Sequence, residues 1–89
     1  MRIPPIQCLL TFEALARIRN VTRTADELCV TPSTVSQRIK LLESIMGTPL
    51  FGRDDFSLTH TGIDYLQDVR EGLEILQRGS ARRRPTLRS

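Results

Sequence analysis

Residues 20–47 read NVTRTADELCVTPSTVSQRIKLLESIMG, and this stretch decides the fold of the chain. It contains two helix patterns that are joined by a very short turn. The first runs from about Thr22 to Cys29, and the second opens at Thr31 and Pro32 and closes at Gly47. A short helix, a tight turn and a longer helix with a small polar face are typical of a helix-turn-helix. The pattern therefore indicates double-stranded DNA as the leading partner.

Both ends of the second helix are marked by residues that suit those positions. The hydroxyl of Thr31 can accept a hydrogen bond from an amide of the first turn, which otherwise has no partner. Pro32 follows at the first helical position, where no amide hydrogen is missed. At the other end, Gly47 accepts the left-handed conformation that ends a helix, and Pro49 cannot continue it. These residues predict where the helix begins and ends.

The second helix has two contrasting faces, because each residue turns the helix by about 100°. The apolar stripe consists of Val35, Ile39, Leu42 and Met46, and the opposite face carries Ser33, Ser36, Gln37, Lys40 and Ser44. Small residues would let the N-terminal end enter the major groove, where serine and glutamine side chains can contact base edges. A cation one turn later can meet a backbone phosphate. The alternative is an ordinary solvated face, which most amphipathic helices carry.

A set of positions before, within and after the helix-turn-helix follows one known pattern in register. These positions are Leu9, Phe12, Ala16, Thr22, Arg23, Ala25, Leu28, Thr31, Ser33, Val35, Ser36, Ile39, Leu42, Glu43, Gly47, Leu50, Phe51, Arg53, Leu58, Thr59 and Gly62. Through them, the sequence from Ile6 to about Gln77 resembles the N-terminal winged helix-turn-helix domain of LysR-type transcriptional regulators. The resemblance implies a mainly α fold with a short two-stranded wing and a long C-terminal linker helix. It also implies a dimeric, sequence-specific bacterial regulator of transcription.

The resemblance and the helix faces together assign roles to individual residues. The predicted base contacts are Pro32, Ser33, Ser36 and Gln37, and the predicted backbone contacts are Thr22, Arg23, Lys40 and Arg53. Thr22 is also expected to cap the shorter helix that runs to about Cys29, so that Arg23 falls in the first turn of that helix. Two very short strands, at residues 50–51 and 57–58, are expected to flank the wing. Asp54 and Asp55 in the wing would repel phosphate, and a solvated turn tip is the favoured interpretation of this pair.

The last helix is expected to begin after its cap, Thr59, and to run to about Arg78. Its apolar residues follow a spacing that is typical of a coiled-coil seam. The predicted dimerisation residues are Leu66, Val69, Leu73 and Leu76. We expect three segments: a winged helix-turn-helix DNA-binding domain at 1–58, a linker and dimerisation helix at 59–78, and a basic, disordered tail at 79–89.

The 89 residues carry a net charge of +3, from 13 basic and 10 acidic side chains. Five arginines lie in residues 78–89, which contain no acid, so residues 1–77 hold eight basic against ten acidic side chains, a net charge of −2. Binding to DNA must therefore depend on a few placed cations. The candidates in the folded part are Arg23, Arg38, Lys40 and Arg53.

Other classes of function find little support in the sequence. Cys8 and Cys29 are too isolated for a metal site and are expected to be buried free thiols. His60 has no nucleophile arrangement around it, and no glycine-rich phosphate loop follows a strand, so neither an enzyme nor a cofactor is expected. No segment has the length or apolarity of a signal peptide or a membrane span. We expect a cytoplasmic bacterial protein that associates with the nucleoid when bound to DNA.

Two functions from different classes remain open. The first is a homodimeric DNA-binding regulator without a small-molecule effector site in this chain, since the large C-terminal effector domain of the family is not among these residues. The second is a protein-interaction module that pairs with a full-length relative through the last helix and modulates its DNA binding. The acidic wing and the net negative charge of residues 1–77 favour the second function somewhat.

Overall fold

A computed structural model describes residues 3–53 and 55–83 and shows four α-helices in that part of the chain. They are α1 (Ile6–Ile18), α2 (Val21–Leu28), α3 (Pro32–Met46) and α4 (His60–Arg83). The prediction of a mainly α fold is confirmed. None of these helices is long and apolar enough to cross a membrane.

The wing is smaller than the sequence predicted. Among the described residues, the two expected strands are reduced to one antiparallel bridge between Phe51 and Leu58. The amide of Gly52 donates to the carbonyl of Ser57 at 2.7 Å, and the amide of Thr59 donates to the carbonyl of Leu50 at 3.0 Å. Phe56 has a positive φ of 55°, which interrupts an extended strand directly after the turn.

The start of α2 differs from the prediction. Asn20, not Thr22, is the N-cap, and its side-chain oxygen accepts a hydrogen bond from the amide of Arg23 at 2.8 Å. Asparagine is at least as good an N-cap as threonine, and Arg19 before it ends α1 in the left-handed conformation with φ 60°. The N-cap therefore lies two residues earlier than predicted, and Thr22 lies exposed in the first turn of the helix.

The turn between α2 and α3 has the expected length, and the predicted ends of α3 are confirmed. Thr31 is the N-cap and accepts a hydrogen bond from the amide of Thr34 at 3.2 Å, and Gly47 ends the helix with φ 74°. Cys29 occupies the left-handed position that ends α2, with φ 59°. This position is exposed, so the expectation of a buried thiol is wrong for Cys29 but right for Cys8.

The core lies where α1, α2 and α3 meet under the first half of α4. Its fully buried members include Phe12, Leu15, Val35, Leu42 and Leu50. The ring of Phe12 packs edge-on against Phe51 with centroids 5.5 Å apart, and it lies 5.8 Å from the ring of Tyr65. Phe12 thus joins α1, the base of the wing and α4 in one aromatic cluster.

Helix α4 is packed against this core only along its first half. Leu66 and Val69 are buried in the core, and Leu73 is half-buried against it. By contrast, Ile75 and Leu76 are 58% and 59% exposed. Leu73, which the sequence assigned to a dimer interface, is thus partly covered by the core of its own domain, because α1 and α4 lie together as far as this turn. Of the four predicted dimerisation residues, Leu76 alone is exposed.

The helix also runs further than predicted. Residues 79–83, which were assigned to a disordered tail, continue α4 to Arg83, and residues 84–89 of that tail lie outside the described part of the chain. Extending an existing helix adds one hydrogen bond for each residue fixed, and alanine and arginine are good helix formers. The absence of apolar periodicity therefore did not end the helix at Arg78.

Gly62 sits where α4 crosses the segment that leads into the wing, and this contact generates a stability prediction. A methyl group at this glycine would overlap the carbonyl oxygen of Leu50. The matched site is Gly72 in the same helix, where a methyl group would meet no atom within 4 Å. We expect Gly62→Ala to lower the free energy of unfolding, whereas Gly72→Ala should raise it by roughly 0.5–1 kcal/mol through helix propensity alone.

Urea unfolding followed by circular dichroism would measure both changes. It should be done at a protein concentration where wild type and variants have the same oligomeric state. If Gly62→Ala were as stabilising as Gly72→Ala, the close crossing of α4 over Leu50 would be absent in solution.

Candidate nucleic-acid interface

The N-terminal half of α3 presents its polar side to solvent. Pro32, Ser33, Ser36 and Gln37 are all exposed, and so is Lys40 one turn further along. The opposite face of the helix is anchored in the core by Val35, Ile39 and Leu42. The predicted division of α3 into a buried stripe and an exposed polar face is confirmed. Contact of that face with bases stays a prediction.

The first turn of α2 holds the next two predicted contacts. Thr22 and Arg23 are both exposed. Because Asn20 caps the helix, the hydroxyl of Thr22 is not used as the N-cap. The positive end of the helix dipole lies at the same place and favours an anion there. The sequence does carry a signal for this cap, because asparagine is among the residues most favoured at the N-cap position. Its side-chain oxygen accepts from the amide three residues later, which here is that of Arg23.

The wing presents Arg53 to solvent beside an acidic residue whose charge is already engaged. One carboxylate oxygen of Asp55 accepts hydrogen bonds from the hydroxyl of Ser57 at 2.6 Å and from its amide at 3.1 Å. The other oxygen lies 3.8 Å from the guanidinium of Arg19. The bonds from Ser57, with Arg19 adding to them, hold the pKa of Asp55 below its ordinary value. Asp54 lies outside the described residues.

The described cations differ in whether a carboxylate lies beside them. Arg17, Arg19, Arg70 and Arg78 each lie within 4.0 Å of a carboxylate. Arg17, for example, donates to Glu27 across the α1–α2 junction, and this bond lowers the pKa of Glu27. Arg23, Lys40 and Arg53 have no such ion pair within residues 3–53 and 55–83. Lys40 lies on the polar face of α3 itself. Arg23 and Arg53 belong to the start of α2 and to the wing, whose residues Val21 and Phe56 line one surface pocket with Ser36 and Lys40.

One cation that the sequence analysis grouped with them behaves differently. Arg38 is half-buried, and its guanidinium donates to the hydroxyl of Thr11 on α1 at 3.4 Å. It follows Gln37 on α3, so its side chain is carried toward α1 and away from the exposed face. We therefore remove Arg38 from the candidate contacts. No cluster of three or more His, Cys, Asp or Glu residues suited to a metal ion occurs in the part of the chain described here.

Comparison with known proteins gives a consistent result. The family model for bacterial regulatory helix-turn-helix proteins of the lysR family matches residues 6–63. The chain is 43% identical over 83 residues to the glycine cleavage system transcriptional activator homolog of Haemophilus influenzae, which is 91% of this chain and 28% of that protein. It is 44% identical over 72 residues to the glycine cleavage system transcriptional activator of Escherichia coli K12, 79% of this chain and 24% of that protein.

Solved structures with the same fold include complexes with DNA. A CbnR_DBD–DNA complex aligns with a TM-score of 0.81 and 29% identity over 90% of this chain and 94% of that one. DarR of Vibrio fischeri in complex with DNA aligns with a TM-score of 0.83 and 27% identity over 92% of this chain and 28% of that one. The matched part of the chain spans 28% of the length of the Haemophilus influenzae protein and 24% of the length of the Escherichia coli protein.

Proposed function

The chain belongs to the lysR family of bacterial regulatory helix-turn-helix proteins, and on that premise we propose that it is the DNA-binding part of a sequence-specific transcriptional regulator. One observation carries the proposal. Lys40 lies on the exposed polar face of α3, and Val21 of α2 and Phe56 of the wing line one surface pocket with Ser36 and Lys40. The same two segments carry the exposed cations Arg23 and Arg53, and neither they nor Lys40 have an ion pair within the described residues.

The chemistry of that face suits the major groove. Ser33, Ser36 and Gln37 can donate and accept hydrogen bonds at base edges, and the ring of Pro32 can make an apolar contact with a thymine methyl group. Lys40 lies further along the helix, where a helix leaving the groove meets the phosphate backbone. Direct base contact by α3 is therefore the proposed source of sequence preference.

Phosphate contacts on either side of α3 would fix its position along the groove of the DNA. Thr22 and Arg23 at the start of α2 form one group, since the helix dipole adds to the charge of Arg23. Arg53 in the wing forms the other, and the bridge between Phe51 and Leu58 at the base of the wing supports it. The carboxylate of Asp55 is drawn toward Ser57 and Arg19, which reduces its repulsion of phosphate at this edge.

A homodimer is proposed through the distal half of α4. Ile75 and Leu76 are more than half exposed there, although both side chains are large and apolar. A crevice of about 160 Å³ runs beside them between α1 and α4, and it is lined by Leu9, Tyr65, Asp68, Val69, Gly72, Leu73 and Leu76. The same surface also suits the second candidate function, a module that pairs with a full-length relative, because a heterodimer would bury the same residues.

The first test concerns sequence preference and uses a pool of random duplexes, from which the protein selects its own site. We expect wild type to enrich a motif with two related half-sites. Gln37→Ala should relax the preference at one position of each half-site, since a good bidentate contact contributes about 1–3 kcal/mol of discrimination. Binding of the variant to random duplex should change little.

The control for this test is Ser44→Ala, which changes an exposed residue of α3 in the last part of the helix and should leave the motif intact. If Gln37→Ala weakens selected and random duplexes equally, Gln37 contacts only the backbone. If the wild-type protein enriches no motif but binds a full-length relative, the interaction module is the correct function.

The second test concerns the dimer. We expect Leu76→Glu to convert the dimer to a folded monomer, because the charge would lose its hydration without a partner in the interface. Ile63→Glu is the matched control: Ile63 is 55% exposed on the same helix, but it lies about 140° away around the axis. Sedimentation equilibrium measures the association, and circular dichroism verifies the fold. A monomeric wild type, or an Ile63→Glu variant that dissociates equally, would contradict the proposed surface.

A further inference from the structure

Glu43 links α3 to the base of the wing through two hydrogen bonds. It lies in the last turn of α3, and one oxygen of its carboxylate accepts from the amide of Leu50 at 2.7 Å and from the amide of Phe51 at 3.3 Å. Leu50 and Phe51 are both buried, so their amides have little access to water. A buried amide needs a partner, and a charged acceptor makes the stronger bond.

The backbone brings these groups together only because α3 ends as it does. The carbonyl of Glu43 accepts from the amides of Gly47 and Thr48, at 2.8 Å and 3.3 Å. Gly47 takes the left-handed conformation, which turns the chain back past the end of the helix. Glu43 therefore closes α3 with its backbone and holds the following segment with its side chain.

The same segment is held from its other side by the start of α4. The amide of Thr59 donates to the carbonyl of Leu50 at 3.0 Å, and its hydroxyl donates to the carbonyl of Pro49 at 2.9 Å. Two residues beyond Phe51, Arg53 begins the wing turn, which the 2.7 Å bond from Gly52 to Ser57 closes. The path from α3 to Arg53 thus contains few freely rotating bonds.

We propose that Glu43 is a positioning residue of the DNA interface, whose carboxylate holds the base of the wing so that Arg53 meets a backbone phosphate while α3 occupies the groove. The proposal rests on the proposed function. Glu43 does not touch DNA itself. Its contribution is to hold the wing in a fixed position relative to α3. The wing then loses less conformational entropy when it binds DNA.

The sign of the charge effect makes the proposal testable. An acidic side chain near a DNA-binding surface disfavours the complex, so removing it should raise affinity if charge were its only role. A positioning role predicts that removing the carboxylate lowers the affinity for DNA. Glu43→Ala and Glu43→Gln remove the same charge, but the amide oxygen of glutamine can still accept a hydrogen bond from Leu50 and Phe51. The glutamine variant is therefore both the charge-matched control and the conservative rescue.

The experiment combines hydrogen exchange with binding of duplex DNA at several salt concentrations. Amide exchange at Leu50 and Phe51 is measured on free wild type, Glu43→Ala and Glu43→Gln. The three proteins, together with Arg53→Ala and the Glu43→Ala/Arg53→Ala double variant, are then titrated with one duplex. Each titration gives the slope of log K against log salt, which reports the number of phosphate contacts.

We expect Glu43→Ala to lose exchange protection at Leu50 and Phe51 and to give a slope that is shallower by about 0.9, the value for one lost phosphate contact. Arg53→Ala should give the same slope as Glu43→Ala. The slope of the double variant should be no shallower than that of either single variant. Glu43→Gln should keep most of the protection and the wild-type slope.

Two results would overturn the positioning role. One is a Glu43→Ala variant that is less stable but has the wild-type slope, which would make Glu43 a purely structural residue. The other is unchanged exchange at Leu50 and Phe51, which would mean that the two bonds do not form in solution. A wild type that binds no duplex would instead overturn the proposed function, and the exchange data would then still decide whether Glu43 holds the wing.

Discussion

The burial of one stripe of α3 against α1 is the constraint on which the rest of the structure depends. Val35, Ile39 and Leu42 share a core with Phe12 and Leu15, and burying each aliphatic side chain contributes roughly 1.5–3 kcal/mol. Because a helix is rigid at this length, fixing one face fixes the other. The polar residues of α3 therefore point to solvent without needing any contact of their own, and they remain free for a partner.

The cations of the chain differ in whether they are held in ion pairs with neighbouring acids. Residues 1–77 carry a net charge of −2, so general attraction to DNA is not available to this part of the chain. Three of its arginines, Arg17, Arg19 and Arg70, are held in surface ion pairs that are individually weak. Arg23, Lys40 and Arg53 have no such pair within the described residues, and they are the cations that we propose for phosphate contact.

Local chemistry allowed much of this arrangement to be predicted from the sequence. The ends of α3 were predictable because Thr31, Pro32 and Gly47 each satisfy a backbone requirement at one position. Other features depend on tertiary contacts that no local pattern reports. Arg38 turns inward because Thr11 on α1 offers an acceptor, and Leu73 is half-buried because α1 reaches that far along α4. The role of Glu43 depends on a contact seven residues away, which becomes visible only when the chain has reversed at Gly47.

The exposed face of α3, with Arg23, Lys40 and Arg53, is the surface that we propose meets DNA. A titration of ¹⁵N-labelled protein with a duplex, followed by amide chemical shifts at low salt, tests that claim most directly. We expect the largest shifts in the first half of α3, in the first turn of α2 and around Arg53, and only small shifts in the distal half of α4. Shifts confined to α4, or no shifts at any duplex concentration, would contradict the claim.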